Sequence, residues 1–265
     1  MKASKFLGQH FLKCQWVVAT LVKAAELKKS DTVLEIGPGT GILTRALAKN
    51  AGQIIAVEKD EKLAELLHKE KIPNVVVVTG DILKLLKSDF RSLEVNRFKM
   101  VANIPYYLTS RLFRLLLEGS YKPEFIVMTI QKEVAERICA KPPKMNLLGL
   151  SVQTYGTPQI IASVPSSCFS PRPKVDSAII QVSDISDVFF HKTGLDKKLF
   201  FDIAKRGFSQ KRKVLANTLK KFGGKEKAKN MLKELNLSLS RPQELSLQDW
   251  VKIASFLQKT ESVES

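Results

Sequence analysis

Several features of common protein classes are missing from this chain of 265 residues. No apolar run approaches the ~18–20 residues that cross a bilayer, so no transmembrane segment is expected. The first residues lack the continuous apolar stretch of a secretory signal. The sequence therefore predicts a cytoplasmic protein without a membrane partner.

Cysteine and histidine are both scarce. The three cysteines, Cys14, Cys139 and Cys168, are widely spaced and odd in number. They predict neither a disulfide framework nor a zinc site, and they fit a reducing cytosol. The three histidines are equally scattered. No metal site is expected.

Acidic residues are few, since 26 Asp and Glu stand against 43 Lys and Arg, a net charge of +17. Such a surplus in a folded protein indicates a polyanionic partner, usually nucleic acid. Residues 197–233 hold thirteen Lys and Arg and two acids, a net +11. The alternative for this segment is an ordinary solvated helix face.

A glycine-rich turn follows the first strand candidate. The strand candidate at 31–36 leads into Gly37-Pro38-Gly39-Thr40-Gly41 and then into a helical stretch at 42–49. Glycines at such a turn let the backbone approach a ligand closely. Ile42 replaces the last glycine of the dinucleotide fingerprint, which leaves the GxGxG form found in S-adenosylmethionine sites.

Two acidic residues follow the next strand candidates. Glu58 ends the apolar run at 53–57 and can accept both hydroxyls of a ribose. The valine run at 75–78 is typical of a strand covered on both faces. Asp81 follows that run and can accept from an adenine amino group, while Ile82 packs on the ring.

Residues 103–106, Asn-Ile-Pro-Tyr, follow a fourth apolar run. The Asn103 side-chain oxygen and the Ile104 carbonyl could both accept hydrogen bonds from the exocyclic amino group of a nucleobase. Tyr106 offers a ring on which the base can stack. Such acceptors would stabilise the positive charge that this nitrogen develops as it attacks a methyl group. The alternative is a strand end with an ordinary Asn-x-Pro turn.

Gly37, Glu58, Asp81 and Asn103 recur at intervals of 21, 23 and 22 residues. Each interval is about the length of one strand, one helix and two loops. All four residues are therefore expected at the carboxyl edge of successive parallel strands, where open α/β sheets bind ligands. The spacing predicts a site for a nucleoside-containing cofactor.

These segments together resemble the KsgA family, the S-adenosylmethionine-dependent adenine dimethyltransferases of small-subunit ribosomal RNA. Residues 8–12, Gly-Gln-His-Phe-Leu, are similar to the amino-terminal cofactor motif of that family. The resemblance implies that His10 and Leu12 contact S-adenosylmethionine; many bacterial members have Asn where this chain has His10. It implies the following cofactor-binding residues: His10, Leu12, Gly37, Glu58, Asp81 and Asn103.

Two later segments extend the resemblance. Residues 164–177 are similar to the loop before the last strand of the family, which implies that Phe169 sandwiches the target adenine against Tyr106. On composition alone, Phe169 is better explained as a buried loop anchor. Residues 208–213 resemble the start of the small helical domain of the family, with Lys211 where Arg is usual. The residues expected to bind RNA are Lys174, Arg206, Lys211, Arg212 and Lys213.

The predicted fold class is α/β, a Rossmann-like S-adenosylmethionine-dependent methyltransferase domain at 1–185 with a small all-α basic domain at 186–265. The resemblance implies dimethylation of the exocyclic N6 of two adjacent adenines in a 3′-end hairpin of 16S rRNA. The predicted catalytic residues are Asn103, Tyr106 and Phe169. The expected partner is an immature 30S subunit, and we expect a monomer with no obligate protein partner.

Three other functions share parts of this pattern. A macrolide-resistance-type 23S rRNA adenine methyltransferase has the same fold and chemistry, but the loop at 169–174 and the segment at 208–213 favour the small-subunit family. A non-catalytic RNA-binding assembly factor could keep the fold, although the glycine turn and Asn103 are both present. A DNA adenine methyltransferase usually carries Pro-Pro-Tyr, whereas Ile104 stands here.

Overall fold

The computed structural model of this protein describes residues 9–88, 90, 97–210 and 213–264. They group into two compact units. The first contains the described residues up to Glu136 together with 156–185, and the second contains 137–155 together with the described residues from Ser186 onwards. Residues 137–155, which the sequence assigned to the first domain, therefore belong to the second unit.

A seven-stranded sheet forms the centre of the first unit. Its strands are β2 Thr32–Ile36, β3 Gln53–Glu58, β4 Val75–Thr79, β5 Lys99–Asn103, β6 Phe125–Gln131, β7 Thr157–Val164 and β9 Ser177–Ser183. Their order across the sheet is β4-β3-β2-β5-β6-β9-β7. The five strands β4, β3, β2, β5 and β6 are parallel, and β9 is antiparallel to both of its neighbours, β6 and β7. The predicted α/β class is confirmed.

The strand order reverses at β2. From β2 the chain continues outward through β3 to β4, and it then returns to the other side of β2 as β5. A reversal of this kind leaves a crevice outside the carboxyl ends of the two central strands, where open sheets bind ligands. The glycine turn follows β2 and Asn103 ends β5, so both lie at that crevice.

Helices connect the parallel strands of the first unit. The inner face of α1 buries Val17 and Leu21, which pack with Val33, Ile54 and Val127 of the sheet in one apolar cluster. Apolar burial on this scale is the main stabilising term of the fold. The helices of this unit are α1 Gln15–Ala24, α2 Ile42–Ala48, α3 Glu61–Lys69, α4 Ile82–Ser88, α5 Thr109–Glu118 and the first residues of α6 Lys132–Ile138.

Strand β4 differs from its prediction. Its valines were expected to be covered on both faces, but β4 is the last strand in the order of the sheet and Val76 is 49% exposed. An edge strand has a neighbour on one side only, so fewer elements cover its faces. A valine-rich sequence reports β propensity and cannot distinguish a central strand from an edge strand.

A second, two-stranded ladder joins distant parts of the first unit. Strand β1, Phe11–Leu12, pairs antiparallel with β8, Phe169–Ser170. The ladder continues to Lys13, whose backbone N–H donates to the Cys168 carbonyl at 2.8 Å.

The cysteine prediction is wrong at this ladder, because Cys14 and Cys168 form a disulfide with Cα atoms 5.1 Å apart. The pairing of β1 with β8 brings the two residues close together, which their separation of 154 residues in the sequence conceals. The number of cysteines therefore does not support a reducing compartment.

The regular secondary structure described in the second unit consists of helices. Its core contains an aromatic cluster in which Phe190, Phe200 and Phe201 have ring centroids 5.4–5.9 Å apart. A Cβ added at Gly207 would lie 2.3 Å from the buried Trp250 ring, so only glycine fits there. The helices are the end of α6, α7 Leu147–Tyr155, α8 Val188–Thr193, α9 Lys197–Phe208, α10 Leu215–Leu219, α11 Lys225–Glu234 and α12 Leu247–Glu264.

Candidate active site

A pocket opens at the carboxyl ends of β2 to β5, with about 900 Å³ of empty volume that includes open solvent. Its walls come from β1, from the glycine turn and from the residues that end or follow β3, β4 and β5. Every residue predicted to bind the cofactor lines it: His10, Leu12, Gly37, Glu58, Asp81 and Asn103.

The glycine turn forms one wall of the pocket and depends on backbone conformations that favour glycine. Gly39 has φ +57°, in the left-handed region. A Cβ on Gly39 would meet the Phe11 ring at 3.2 Å. A side chain here would therefore strain the turn and press on β1.

Glu58 is a rigid acceptor on the pocket wall. Its side chain is buried, and backbone N–H groups already donate to both of its oxygens, Gly39 to Oε2 at 3.0 Å and Asp60 to Oε1 at 2.9 Å. Each carboxylate oxygen has a second lone pair for a ligand. The carboxylate is thus held by the glycine turn and the start of α3 in an orientation suited to a pair of hydroxyls.

Asp81 also has both oxygens engaged. The Leu83 N–H donates to Oδ1 at 2.9 Å, and Lys59 Nζ lies 3.0 Å from Oδ2. Partial burial works to raise the pKa of Asp81. The hydrogen bonds from Lys59 and from the Leu83 backbone, together with the positive charge of Lys59, outweigh burial and lower that pKa. Asp81 is therefore an ionised acceptor on the pocket wall.

Glu35, on β2, lies at the base of the pocket and is only 1% exposed. Its Oε2 atom has no hydrogen-bond partner in the part of the chain that the structure describes. Burial raises the pKa of Glu35 to about 8, and the nearby charge of Glu58 adds to that shift. Near neutral pH the pocket therefore contains a mostly protonated carboxyl group.

Asn103 has a fixed side-chain amide at the end of β5. Its Nδ2 donates to the His10 carbonyl at 3.2 Å, and its Oδ1 accepts from the Thr129 hydroxyl on β6. These contacts assign the amide oxygen and nitrogen without ambiguity, because a carbonyl can only accept. The second lone pair of Oδ1 is available to a ligand.

Tyr106 lies beside His10, with ring centroids 5.7 Å apart and planes inclined by 28°. Its hydroxyl shares a 2.7 Å hydrogen bond with Ser177 Oγ on β9. Burial raises the pKa of this phenol. The ring therefore stays neutral, and its position is fixed by β9 and by His10.

Phe169 is 2% exposed and packs in the apolar cluster under β1, so it does not line the pocket. This position agrees with the alternative interpretation of Phe169 as a buried anchor of its loop. The sandwich of a target base between Phe169 and Tyr106 stays a prediction. His10, whose Nδ1 lies 2.7 Å from the Pro171 carbonyl, connects the pocket to the same loop.

The predicted RNA-binding residues are distributed over both units. Lys174 is exposed after β8 in the first unit, and Arg206 and Lys213 are exposed at and after the end of α9 in the second. Lys211 and Arg212 lie outside the described residues. Their roles stay predictions.

The described ranges show neither a cluster suited to a metal ion nor a membrane-spanning helix. Within the described ranges, no group of three or more His, Cys, Asp and Glu side chains is arranged to hold a metal ion. No helix in those ranges has both the length and the apolar character needed to cross a membrane.

The residues of the pocket fit S-adenosylmethionine. This molecule is a cation with a ribose and an adenine, and the pocket offers the carboxylates of Glu58 and Asp81 and a glycine turn for close backbone approach. The fold and the pocket together are those of an S-adenosylmethionine-dependent methyltransferase.

The chain belongs to the ribosomal RNA adenine dimethylase family, whose profile matches residues 1–259. A relative from Dehalococcoides mccartyi, "Ribosomal RNA small subunit methyltransferase A", is 42% identical over 258 residues, which cover 96% of this chain and 88% of the relative. The predicted class of enzyme, an S-adenosylmethionine-dependent rRNA adenine-N6-dimethyltransferase, is confirmed.

Solved structures agree with this assignment. A dimethyladenosine transferase from Plasmodium falciparum has a TM-score of 0.81 and 26% identity, covering 95% of this chain and 98% of that one. The 23S rRNA methyltransferase ErmE has a TM-score of 0.71 and 24% identity, covering 94% of this chain and 99% of that one, and supports the fold alone.

Several residues at the site were not predicted. Thr129 and Ser177 hold Asn103 and Tyr106, and Lys59 pairs with Asp81. The sequence does single out Thr129, since it is the one hydroxyl residue within the apolar run 125–130. Its contact with Asn103 depends on the register between β5 and β6, which a sequence does not specify.

Proposed function

We propose that this chain dimethylates the exocyclic N6 of two adjacent adenines in a 3′-end hairpin of 16S rRNA, within an immature 30S subunit. We propose further that it acts as a cytoplasmic monomer without an obligate protein partner. The observation that carries the proposal is the position of Asn103 at the wall of the pocket that contains Glu58 and Asp81.

In this proposal, the pocket holds the donor through its polar side chains. Glu58 accepts from the ribose hydroxyls and Asp81 accepts from the adenine amino group of the donor. The turn at Gly37, His10 and the β1 residue Leu12 close around the rest. When bound, S-adenosylmethionine supplies an electrophilic methyl group on a sulfonium.

Asn103 and Ile104 would act on the target adenine. Asn103 Oδ1 and the Ile104 carbonyl accept from the N6 amino group, and they stabilise the positive charge that develops there. The cationic nitrogen loses its proton readily to water, so no strong base is required. Catalysis by these residues is therefore mainly positioning and charge stabilisation.

The target base has to leave its stack before it reaches Asn103, at a cost of a few kcal/mol. Stacking on an aromatic side chain contributes ~1–3 kcal/mol per base and offsets much of that cost. Tyr106 supplies one such face. Phe169 is the proposed second face, and it would need to leave its buried position to serve as one.

Basic residues would hold the RNA backbone. Lys174, Arg206 and Lys213 are exposed, as phosphate contacts require, and Lys211 and Arg212 belong to the same proposal. Each phosphate contact releases counterions, so removing one should lower the salt slope of RNA binding by about 1. Arg206→Glu and Lys213→Glu test this, with the exposed Lys62→Glu as a control.

The decisive experiment on the active site is Asn103→Ala in the full-length protein. Turnover on immature 30S subunits should be abolished, while the Kd for S-adenosylmethionine rises only modestly. The exposed Asn230→Ala on α11 is the matched control and should behave as wild type. Methylation by Asn103→Ala at the wild-type rate would falsify the proposed role.

The substrate is tested separately. Purified enzyme is given immature 30S subunits and protein-free 23S RNA in parallel, and dimethyladenosine is mapped in each. The proposal expects product in 16S rRNA alone. Product in 23S RNA alone would instead identify a macrolide-resistance-type activity, and no product in either would favour a non-catalytic assembly factor.

A further inference from the structure

A buried hydroxyl lies next to the proposed catalytic amide. Thr129 is 0% exposed, and the register of the parallel ladder pairs it with Asn103. Its Oγ1 donates to Asn103 Oδ1. Thr129 is also the only polar residue among the buried residues 126–130 of β6. Buried polar groups in an apolar strand call for an explanation.

The other end of the same amide is held less closely. Asn103 Nδ2 donates to the His10 carbonyl at 3.2 Å, at the long end of the ordinary range for such a bond. Without the Thr129 hydroxyl, this would be the one remaining contact among the amide hydrogen bonds described for Asn103. The carboxamide could then rotate about its last side-chain bond, which has a broad torsional minimum.

The hydroxyl also leaves the acceptor usable. An amide oxygen has two lone pairs, and Thr129 occupies one of them. The other can accept from an amino group that enters the pocket. A hydroxyl at this site therefore fixes the direction of Oδ1 and leaves its second lone pair accessible. An apolar side chain of the same shape has no donor and would not fix that direction.

We propose that Thr129 is a positioning residue for methyl transfer, which acts by holding Asn103 Oδ1 toward the entering N6 amino group of the target adenine. This inference rests on the proposed role of Asn103. Thr129 itself touches neither substrate nor donor. Its effect should appear in the chemical step, because a misplaced acceptor loses its interaction chiefly in the transition state.

The test compares variants that differ by one hydroxyl. Thr129→Val keeps the branched shape and removes the oxygen, whereas Thr129→Ser keeps the oxygen. We expect Thr129→Val to lower kcat by about 10-fold to 100-fold, since small misplacements have effects of this size. The KM for RNA and the Kd for S-adenosylmethionine should stay within about 2-fold, because the interaction is realised in the transition state. Thr129→Ser should restore most of the rate.

A second pair of variants separates the loss of the hydroxyl from a packing defect. Thr129→Ala and Thr129→Ser have nearly the same volume and differ by the hydroxyl, so the lower kcat should again follow its loss. Thermal melts of all variants establish that each is folded. Wild-type kcat in folded Thr129→Val, or equal kcat in the Ala and Ser variants, would overturn the inference.

The single variants Asn103→Ala and Thr129→Val together separate this inference from the proposal beneath it. Full activity of Asn103→Ala would refute the proposed function, whereas an inactive Asn103→Ala with a wild-type Thr129→Val would refute only the positioning role.

Discussion

Lys59 Nζ lies 3.0 Å from Asp81 Oδ2, so an ammonium group already contacts the carboxylate that is proposed to accept from the donor adenine. The Lys59 side chain is about half exposed, and exposed ion pairs contribute about 0–1 kcal/mol. We therefore expect Lys59→Met to change the Kd for S-adenosylmethionine by less than about 5-fold.

Asp81→Ala should have a larger effect. It removes the acceptor itself, and hydrogen bonds to charged groups contribute about 1.5–3 kcal/mol, so the Kd should rise by about 10-fold or more. Isothermal titration with the donor measures both variants. A Kd that rises more in Lys59→Met than in Asp81→Ala would contradict the assignment of Asp81 as the acceptor.

Glu35 should make the stability of the donor-free protein depend on pH. Its pKa is about 8 in the fold, whereas a glutamate free in water has a pKa of 4.5, so between these values the folded state retains a proton that the unfolded state has released. Stability therefore falls as the pH rises through this window, by up to about 1.4 kcal/mol per pH unit, and levels off above the folded pKa.

Glu35→Gln removes this titration. The difference in unfolding free energy between the variant and wild type should grow in favour of the variant from about pH 5.5 to 8 and then stay constant. Denaturant titrations at several pH values across this range measure it, with the exposed Glu136→Gln as a control. Parallel pH profiles for wild type and Glu35→Gln would contradict the raised pKa.

The hydrogen bond between Tyr106 and Ser177 should matter less than the Tyr106 ring. Tyr106→Phe and Ser177→Ala each remove this bond and should lower kcat by less than about 10-fold, because a typical hydrogen bond contributes about 1 kcal/mol. Tyr106→Ala removes the proposed stacking face, and kcat/KM for RNA should fall by about 10-fold to 100-fold. Steady-state methylation assays distinguish the two effects.

If the bond is the only link between these two residues, Tyr106→Phe/Ser177→Ala should be no slower than either single variant. A Tyr106→Ala variant as active as Tyr106→Phe would rule out stacking on this ring.

The disulfide between Cys14 and Cys168 should stabilise the oxidised protein. It closes a long loop, and removing such a bond typically lowers the free energy of unfolding by about 2–4 kcal/mol. Cys14→Ser should therefore unfold at lower guanidinium concentration than wild type without reductant, and at a similar concentration with dithiothreitol. Cys139→Ser, outside the disulfide, is the control. Identical curves in both conditions would mean that the bond does not form.

The sequence predicted the pocket well because its parallel strands repeat at a regular interval. Gly37, Glu58, Asp81 and Asn103 each follow or end a strand, and βα units bring such positions to one edge whatever the detailed packing. The type of each side chain then indicated the chemistry. The position of Thr129 needed the register of β5 and β6, which packing determines.

The pairing of short strands that lie far apart in the chain could not be predicted from the sequence. β1 and β8 have two residues each, too few for any periodicity, and they are far apart in the chain. Their ladder determines both the disulfide and the buried position of Phe169. The exposure of β4 was also missed, because a run of valines indicates a strand but does not indicate whether a neighbour lies on each side.

The ladder of β1 with β8 has a consequence for synthesis of the protein. Residues that line the pocket near the amino terminus, such as Leu12, pair with Phe169 and cannot take their final place until that part of the chain has left the ribosome. A nascent chain that already contains Gly37, Glu58, Asp81 and Asn103 thus still has an unfinished pocket. Methylation must wait until Ser170 has emerged from the ribosome.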